Sequence, residues 1–416
     1  MIMDLINHPD FLKYCSIPIV AALVGWSTNW LAIKLMFYPM EFIGYQPLFL
    51  GWQGVIPSKA EKMAKVVVEK GLESLANISE VYQQIDRDRL SEELVKVVDA
   101  RLETYIDDIM NAENATLWEN LPVNVRESIY KSVRKQLPAT IDKMLDDIGD
   151  QIDSLFDLED MVVNKLTTNK ELLNRIFQEA GEQEFKFIIN SGLYFGFAFG
   201  LIQMAIWLFF QEWWILPLFG LLVGYLTNEI ALKIIFKPLN PIRIGPLVLQ
   251  GLFLKRQKAV AEVLCNITTS EVITISNILY AMLTGPKRER THRMIQKHVR
   301  NSIDETNSWG MGLGKPLVKS MLGTQAYIDL KVRAADQAIL LAQDELLTNN
   351  AFNVGQQEII EDLLRTRMES LSSEEFQDVL RPAFQEDEWK LIAVGAILGL
   401  AAGFAQLVLV FGNSLS

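Results

Sequence analysis

The residues best placed to do chemistry occur twice. Thr28-Asn29 with Lys34, and Thr227-Asn228-Glu229 with Lys233, sit in or at the end of long apolar stretches. An amide in such a setting is costly unless it finds a partner. Each pair is therefore either part of a site for a polar ligand or ion, or a hydrogen-bonded strut between helices. Lys34 and Lys233 are long enough to reach toward lipid headgroups. Glu229 stands where the first copy has Trp30, so a symmetric site would carry one acidic side and a single intramembrane acid.

Other reactive groups form no recognisable constellation. Cys15 and Cys265 are the only cysteines, which excludes a disulfide framework and a thiolate metal site. His8, His292 and His298 have no metal-ligand spacing. Gly310-Met311-Gly312-Leu313-Gly314-Lys315 resembles a phosphate loop only in part, because Trp309 and Pro316 stand where that loop needs Gly and Ser or Thr. The acidic pairs Asp107-Asp108 and Asp146-Asp147 lie in helical stretches where a solvated face is the ordinary explanation. No nucleophile has a base at a recognisable spacing. The expectation is a protein that is not an enzyme and carries no metal or cofactor.

The elements around these residues are duplicated. The segment 24–39 matches 223–238 at a constant offset of 199, with eight of sixteen positions identical, and Gln53-Gly54 recurs as Gln250-Gly251. Gly192, Gly196, Gly200 and Gln203 recur as Gly395, Gly399, Gly403 and Gln406. Four stretches are apolar over the roughly 20 residues that a bilayer requires. The architecture expected is an all-α integral membrane protein of two parallel repeats, each a span, a helical soluble block and a second span. Its parts are 1–57 (first span and interfacial loop), 58–185 (block one), 186–254 (second and third spans with a second loop), 255–388 (block two) and 389–416 (fourth span). Lysine and arginine cluster on the block side, which places both blocks in the cytoplasm and both termini outside.

Both blocks read as helical. Leu90, Leu94, Val98, Leu102, Tyr105 and Ile109 repeat at helical spacing, as do Ile141, Leu145, Ile148, Ile152 and Leu155. Ser58-Lys59-Ala60-Glu61 predicts a capping box at the start of block one. Extended stalks and compact bundles both fit this pattern. Residues 72–185 carry 25 acidic and 12 basic side chains, a net of −13, which argues against nucleic acid as a partner. The basic run from Lys287 to Arg300 reads as a solvated helix face, or as a contact for block one or for anionic lipid.

Small residues line the spans. Gly25 and Gly224, with the ladders Gly192, Gly196, Gly200 and Gly395, Gly399, Gly403, give each span a face that lets backbones approach closely. After each Thr-Asn motif comes an apolar segment (36–52 and 238–258) that reads as a loop in the membrane interface. Lys59, Lys62 and Lys65 follow the first; Arg243, Lys255 and Arg256 belong to the second. Headgroup contact is the chemistry expected of these six cations.

The pattern Gly-x-x-Thr-Asn-x-x-Ala-x-Lys, then Phe-x-Pro, then Gln-Gly and a charged helix, resembles the bacterial DUF445 family of predicted membrane proteins. The stretch Phe156-Asp157-Leu158-Glu159-Asp160 before the glycine-rich span adds to the likeness. Leu254 departs from it, standing where a proline would follow Gln-Gly-x-x. The resemblance implies a bacterial plasma-membrane location and no particular activity. Two functions are expected, a non-catalytic one first and a second as its alternative. One is a membrane scaffold or tether whose helical blocks engage a protein partner, a second copy or a membrane surface. The other is transport of a lipid or small solute between the repeats or along a helical groove. A solid helical block favours the first, and bound lipid or an apolar groove continuing from the spans into a block favours the second.

Overall fold

The computed structural model of the chain describes residues 11–45, 50–72, 77–245, 247–305, 323–348, 353, 356–381 and 388–411. The described residues are mostly helical. In chain order, α1 (Phe11–Phe37) leads through the hairpin β1 (Ile43–Tyr45) and β2 (Leu50–Trp52) to the short α2 (Val55–Ser58) and α3 (Ala60–Val66). Next come α4 (Ile78–Gln84), α5 (Arg87–Glu119), α6 (Val123–Leu155), α7 (Leu158–Thr168) and α8 (Lys170–Ala180). The apolar pair α9 (Glu182–Phe209) and α10 (Ile215–Phe236) precedes a second hairpin, β3 (Ile242–Ile244) and β4 (Leu247–Leu249). The chain continues through α11 (Leu252–Lys255), α12 (Gln257–Ile267), α13 (Ile275–Thr284), α14 (Arg288–Glu305), α15 (Thr324–Thr348), α16 (Gln357–Ser370), α17 (Ser373–Leu380) and α18 (Glu388–Phe411). Four of these, α1, α9, α10 and α18, are long and apolar enough to cross a membrane.

Two compact units emerge, and each draws on both halves of the sequence. The first comprises Met1–Gly71, Leu166–Leu264 and Arg367–Ser416; the second comprises Leu72–Lys165 and Cys265–Thr366. In the first unit α1 packs on α9 and α10 on α18, and the two pairs pack on each other. Glycine sets the first contact. A Cβ on Gly25 or Gly192 would strike the other's carbonyl, and Gly196 lies against Ala21 while Gly200 lies against Pro18, so the helices run antiparallel. Gly224 against Gly395 and Gly220 against Gly399 repeat this arrangement. Tyr14, Ile17, Trp207, Ile215, Leu216, Leu407 and Phe411 form a shared core at one end of the four helices.

The loops expected after each motif hold β-hairpins, a feature that helical periodicity did not reveal. Their bases are fixed by matching bonds. Gln53 Nε2 donates to Met40 O (2.7 Å) and Gln250 Nε2 to Leu239 O (3.3 Å). Gly54 N donates to Pro39 O (2.8 Å) and Gly251 N to Pro238 O (3.0 Å). A Cβ on Gly54 would lie 2.7 Å from Phe37 C, and one on Gly251 2.7 Å from Ile235 O. Only glycine fits that approach. The expected capping box at Ser58 does not form. Ser58 already belongs to α2 and donates to Val55 O (2.8 Å), while Glu61 pairs with Lys65 (2.9 Å). Among the helices described, α17 does carry a capping box, between Ser372 and Glu375.

In the second unit α5, α6, α14 and α15 pack as a ring, each against two neighbours, with α13 on α14 and α15. Asp86 caps α5 by accepting from Arg89 N (3.1 Å), and Thr274 caps α13 through Asn277 N (3.1 Å). Asn114 breaks α5 with non-helical angles, and its Oδ1 accepts from Leu117 N (2.9 Å), restarting the last turn. The basic run has a defined role at the end of α6. Lys287 Nζ donates to Phe156 O (2.6 Å) and Asp153 O (3.0 Å), and Arg290 to Ser154 O (3.4 Å). Cations at a helix C-terminus satisfy carbonyls that have no partner within the helix. Of the readings open for this run, the structure shows contact with the acidic block. The Gly310–Lys315 stretch and His8 lie outside the described residues.

Candidate functional site

The asparagines of the motif bond between helices, and its other polar residues bond within their own helix. Asn29 Nδ2 donates to Ile188 O of α9 (2.7 Å), and Asn228 Nδ2 to Leu391 O of α18 (3.0 Å). Thr28 Oγ1 donates to Gly25 O (3.1 Å) and Thr227 Oγ1 to Gly224 O (3.5 Å). Each asparagine thus bonds the second apolar helix of its own half, and all four residues are buried. Glu229 pairs with Lys233 (2.6 Å), and Lys34 lies over the Trp30 ring (5.1 Å to its centre). Asn29→Leu or Asn228→Leu is expected to lower stability by roughly 0.6 kcal/mol, seldom more than about 2. Thermal unfolding of the detergent-solubilised protein is the check.

The cations expected at headgroups divide. Arg256 Nη1 instead donates to both oxygens of Glu184 (2.9 and 3.0 Å), a carboxylate only 3% exposed. Lys65 pairs with Glu61, and Lys59 is the first flanking residue of α3. Arg243 lies in β3 and Lys255 closes α11, both exposed. Lys62 is exposed on α3.

A different feature marks the second unit, namely empty space along the axis of its helical ring. Two cavities of about 210 Å³ and 190 Å³ share the walls Val98, Leu137, Thr140, Val299, Ala338 and Leu341. The first extends to Ile148 and Leu283, and the second to Ile129 and Met110. Along α6, from Ile129 to Ile148, this covers roughly 28 Å at 1.5 Å per residue. The lining is almost wholly aliphatic. The hydroxyls of Thr140, on the shared wall, and Ser302, on the second cavity, bond each other (3.0 Å), and Thr140 also donates to Gln136 O (3.0 Å). Glu345, at one edge, is ion-paired with Arg101 (3.0 Å).

The periphery of the ring is tied by polar contacts that keep the walls apart. Met110, Trp118, Val125, Ile129 and Leu330 form a packed plug at one end. Trp118 Nε1 (3.0 Å) and Tyr130 OH both donate to Asp107, and burial pushes the Tyr130 phenol up to about 12. Tyr82 OH donates to Leu145 O (2.7 Å) behind α6, and burial likewise raises its pKa to about 12. On the seam between α6 and α14, His298 Nε2 lies 2.8 Å from Asp147 Oδ2, with Lys297 3.5 Å away. The His298 hydrogen bond holds the Asp147 carboxyl below its ordinary value. A depressed carboxyl stabilises the fold above its unfolded pKa of about 3.9 and loses that contribution as pH falls through the folded value. Asp147→Asn is therefore expected to lower Tm at pH 7. In a pH series the two proteins should converge as the pH drops below about 3.9.

Sequence reading found the Thr-Asn motif but missed the cavity, because inward-facing residues read alike whether or not they meet. It also missed Asn174 and Gln377. Asn174 Nδ2 donates to Phe37 O (2.7 Å), and the Gln377 amide donates to Phe236 O (3.2 Å) while accepting from Arg381 (2.6 Å). Both close the C-terminal end of an apolar helix. Their separation of 203 residues, the same as between Gly192 and Gly395, was the available signal. No family model, curated protein or solved structure matches the chain.

Proposed function

We propose that this chain is a four-span integral membrane protein of two parallel repeats that binds and transports lipid, taking the hydrocarbon chain into the hollow ring of α5, α6, α14 and α15. The observation that carries this reading is the pair of aliphatic cavities. Protein interiors are close-packed, with few voids larger than a water molecule. Both spaces are open-sided, and without an apolar occupant their walls forfeit contact across the gap. A wall with almost no polar lining gives water nothing to bond, so hydrocarbon is the occupant that recovers the lost contacts. A cavity of about 150 Å³ already admits benzene, and two larger ones in line suit a chain better than a ring.

The asparagines favour lipid over a small polar solute to the extent that the amide nitrogen of each donates to a neighbouring backbone carbonyl, while Asn29 Oδ1 is buried with no partner among the described residues. A solid helical ring would have favoured the scaffold reading. The bacterial plasma membrane, with the second unit on its cytoplasmic side, is the setting that the family resemblance and the distribution of lysine and arginine support. Ala338, at the wall common to both cavities, provides the test. Ala338→Trp should fill the space, leave Tm unchanged or raised, and abolish binding of a fluorescent acyl-chain probe by the reconstituted protein. Unchanged probe binding by a folded Ala338→Trp protein would reject the reading.

A further inference from the structure

The two segments expected to lie in the membrane interface are hairpins, and their surfaces are unusual. Ile43 and Tyr45 in β1 are 67% and 62% exposed, with Tyr38 and Phe42 beside them. In the second hairpin Ile242, Val248 and Leu249 are about half exposed, with Arg243 between the apolar positions. A two-stranded hairpin has no core of its own and is marginal in water. These two are nonetheless firmly attached. Trp52 Nε1 donates to Leu35 O (3.0 Å) in the last turns of α1, and the Gln-Gly pairs lock both bases to the chain just beyond α1 and α10. Each hairpin therefore emerges where an apolar helix long enough to cross a bilayer ends.

We propose that the two hairpins are rigid wedges that insert below the headgroups of the leaflet where α1 and α10 end, fixing the depth of the first unit. The occupant of their apolar faces is the headgroup–acyl boundary of the same membrane. Continuity with the apolar helices argues for it, as do Tyr38, Phe42 and Tyr45, since amphipathic aromatic rings favour that zone. The first hairpin presents aromatic and aliphatic side chains. The second pairs aliphatic ones with Arg243, whose cation suits anionic headgroups at the same level. This inference rests on the membrane-spanning reading of the four apolar helices.

Ile43→Cys and Ile242→Cys, each in a Cys15→Ser background with the buried Cys265 retained, provide the test. Val123→Cys, also strongly exposed but in the second unit, is the reference. The full-length proteins carry an environment-sensitive fluorophore in phosphatidylcholine–phosphatidylglycerol vesicles. Insertion to roughly 5–10 Å predicts blue-shifted emission at 43 and 242, quenching by shallow nitroxide lipids and loss of quenching by aqueous iodide. The label at 123 should show the reverse. Iodide access at 43 and 242 equal to that at 123, in protein that resists alkaline carbonate extraction, overturns the wedge and leaves the spans standing. Release of the protein by carbonate overturns the spanning reading itself.

Discussion

Gly192→Val is expected to be among the most damaging single changes in the chain, costing about 3 kcal/mol or more and sharply reducing recovery of folded protein. The reason is local and geometric. The Gly192 backbone rests on the Gly25 carbonyl, and Asn29 Nδ2 lies 2.7 Å from where a Cβ would stand. A branched side chain there must separate α1 from α9 and also disturb the Asn29–Ile188 hydrogen bond. Gly395→Val should do the same to α10 and α18, where Gly224 O would lie 2.7 Å from the new Cβ. Phe197→Leu, on the exposed face of α9, should leave stability nearly unchanged. Fluorescence-detected size exclusion after a temperature ramp distinguishes these outcomes. Wild-type behaviour of Gly192→Val would mean that the helices do not meet at these glycines.

The second large effect is expected at the ion pair of the half-buried Arg256 with the buried Glu184. Arg256→Met leaves Glu184 buried without its guanidinium partner and should cost about 3–5 kcal/mol. Glu184 sits in the first turn of α9, where the helix dipole favours a carboxylate, but a single helix end does not replace a bidentate cation. Adding Glu184→Leu to Arg256→Met should recover most of the loss, because a well-packed apolar pair is often as stable as a buried salt bridge. Additive destabilisation in the double variant would show that the two side chains act separately.

Much of this architecture is legible in residue types. Long uncharged runs mark the four apolar helices, and the glycine ladders mark the faces on which they meet, because backbone contact demands a missing Cβ. The helical spacing of Leu90 to Ile109 and Ile141 to Leu155 correctly indicates α5 and α6. What periodicity reveals about a helix is which face turns inward, not how far away the opposite face lies. For that reason Leu94, Val98 and Leu145 read as an ordinary inward helix face although they border open space. Ion pairs between distant segments are hidden for a related reason. Nothing near Arg256 or Glu184 in sequence marks them as partners, so a headgroup role was the natural expectation for the arginine. The capping box at Ser58 fits its motif but loses to context, since buried Pro57 already lies within α2 and places Ser58 inside a helix. The hairpins were obscured because three-residue strands are too short for a period-two pattern to register.

The central claim, a hydrocarbon chain held inside the ring of α5, α6, α14 and α15, is tested most directly by photolabelling. A phospholipid with a diazirine near its acyl terminus is reconstituted with the full-length protein and irradiated, and the adducts are mapped by peptide mass spectrometry. The account predicts adducts at cavity-facing positions such as Met144, Met294 and Leu341, and their loss in Ala338→Trp. Adducts confined to α1, α9, α10 and α18, with none on the ring, would contradict it.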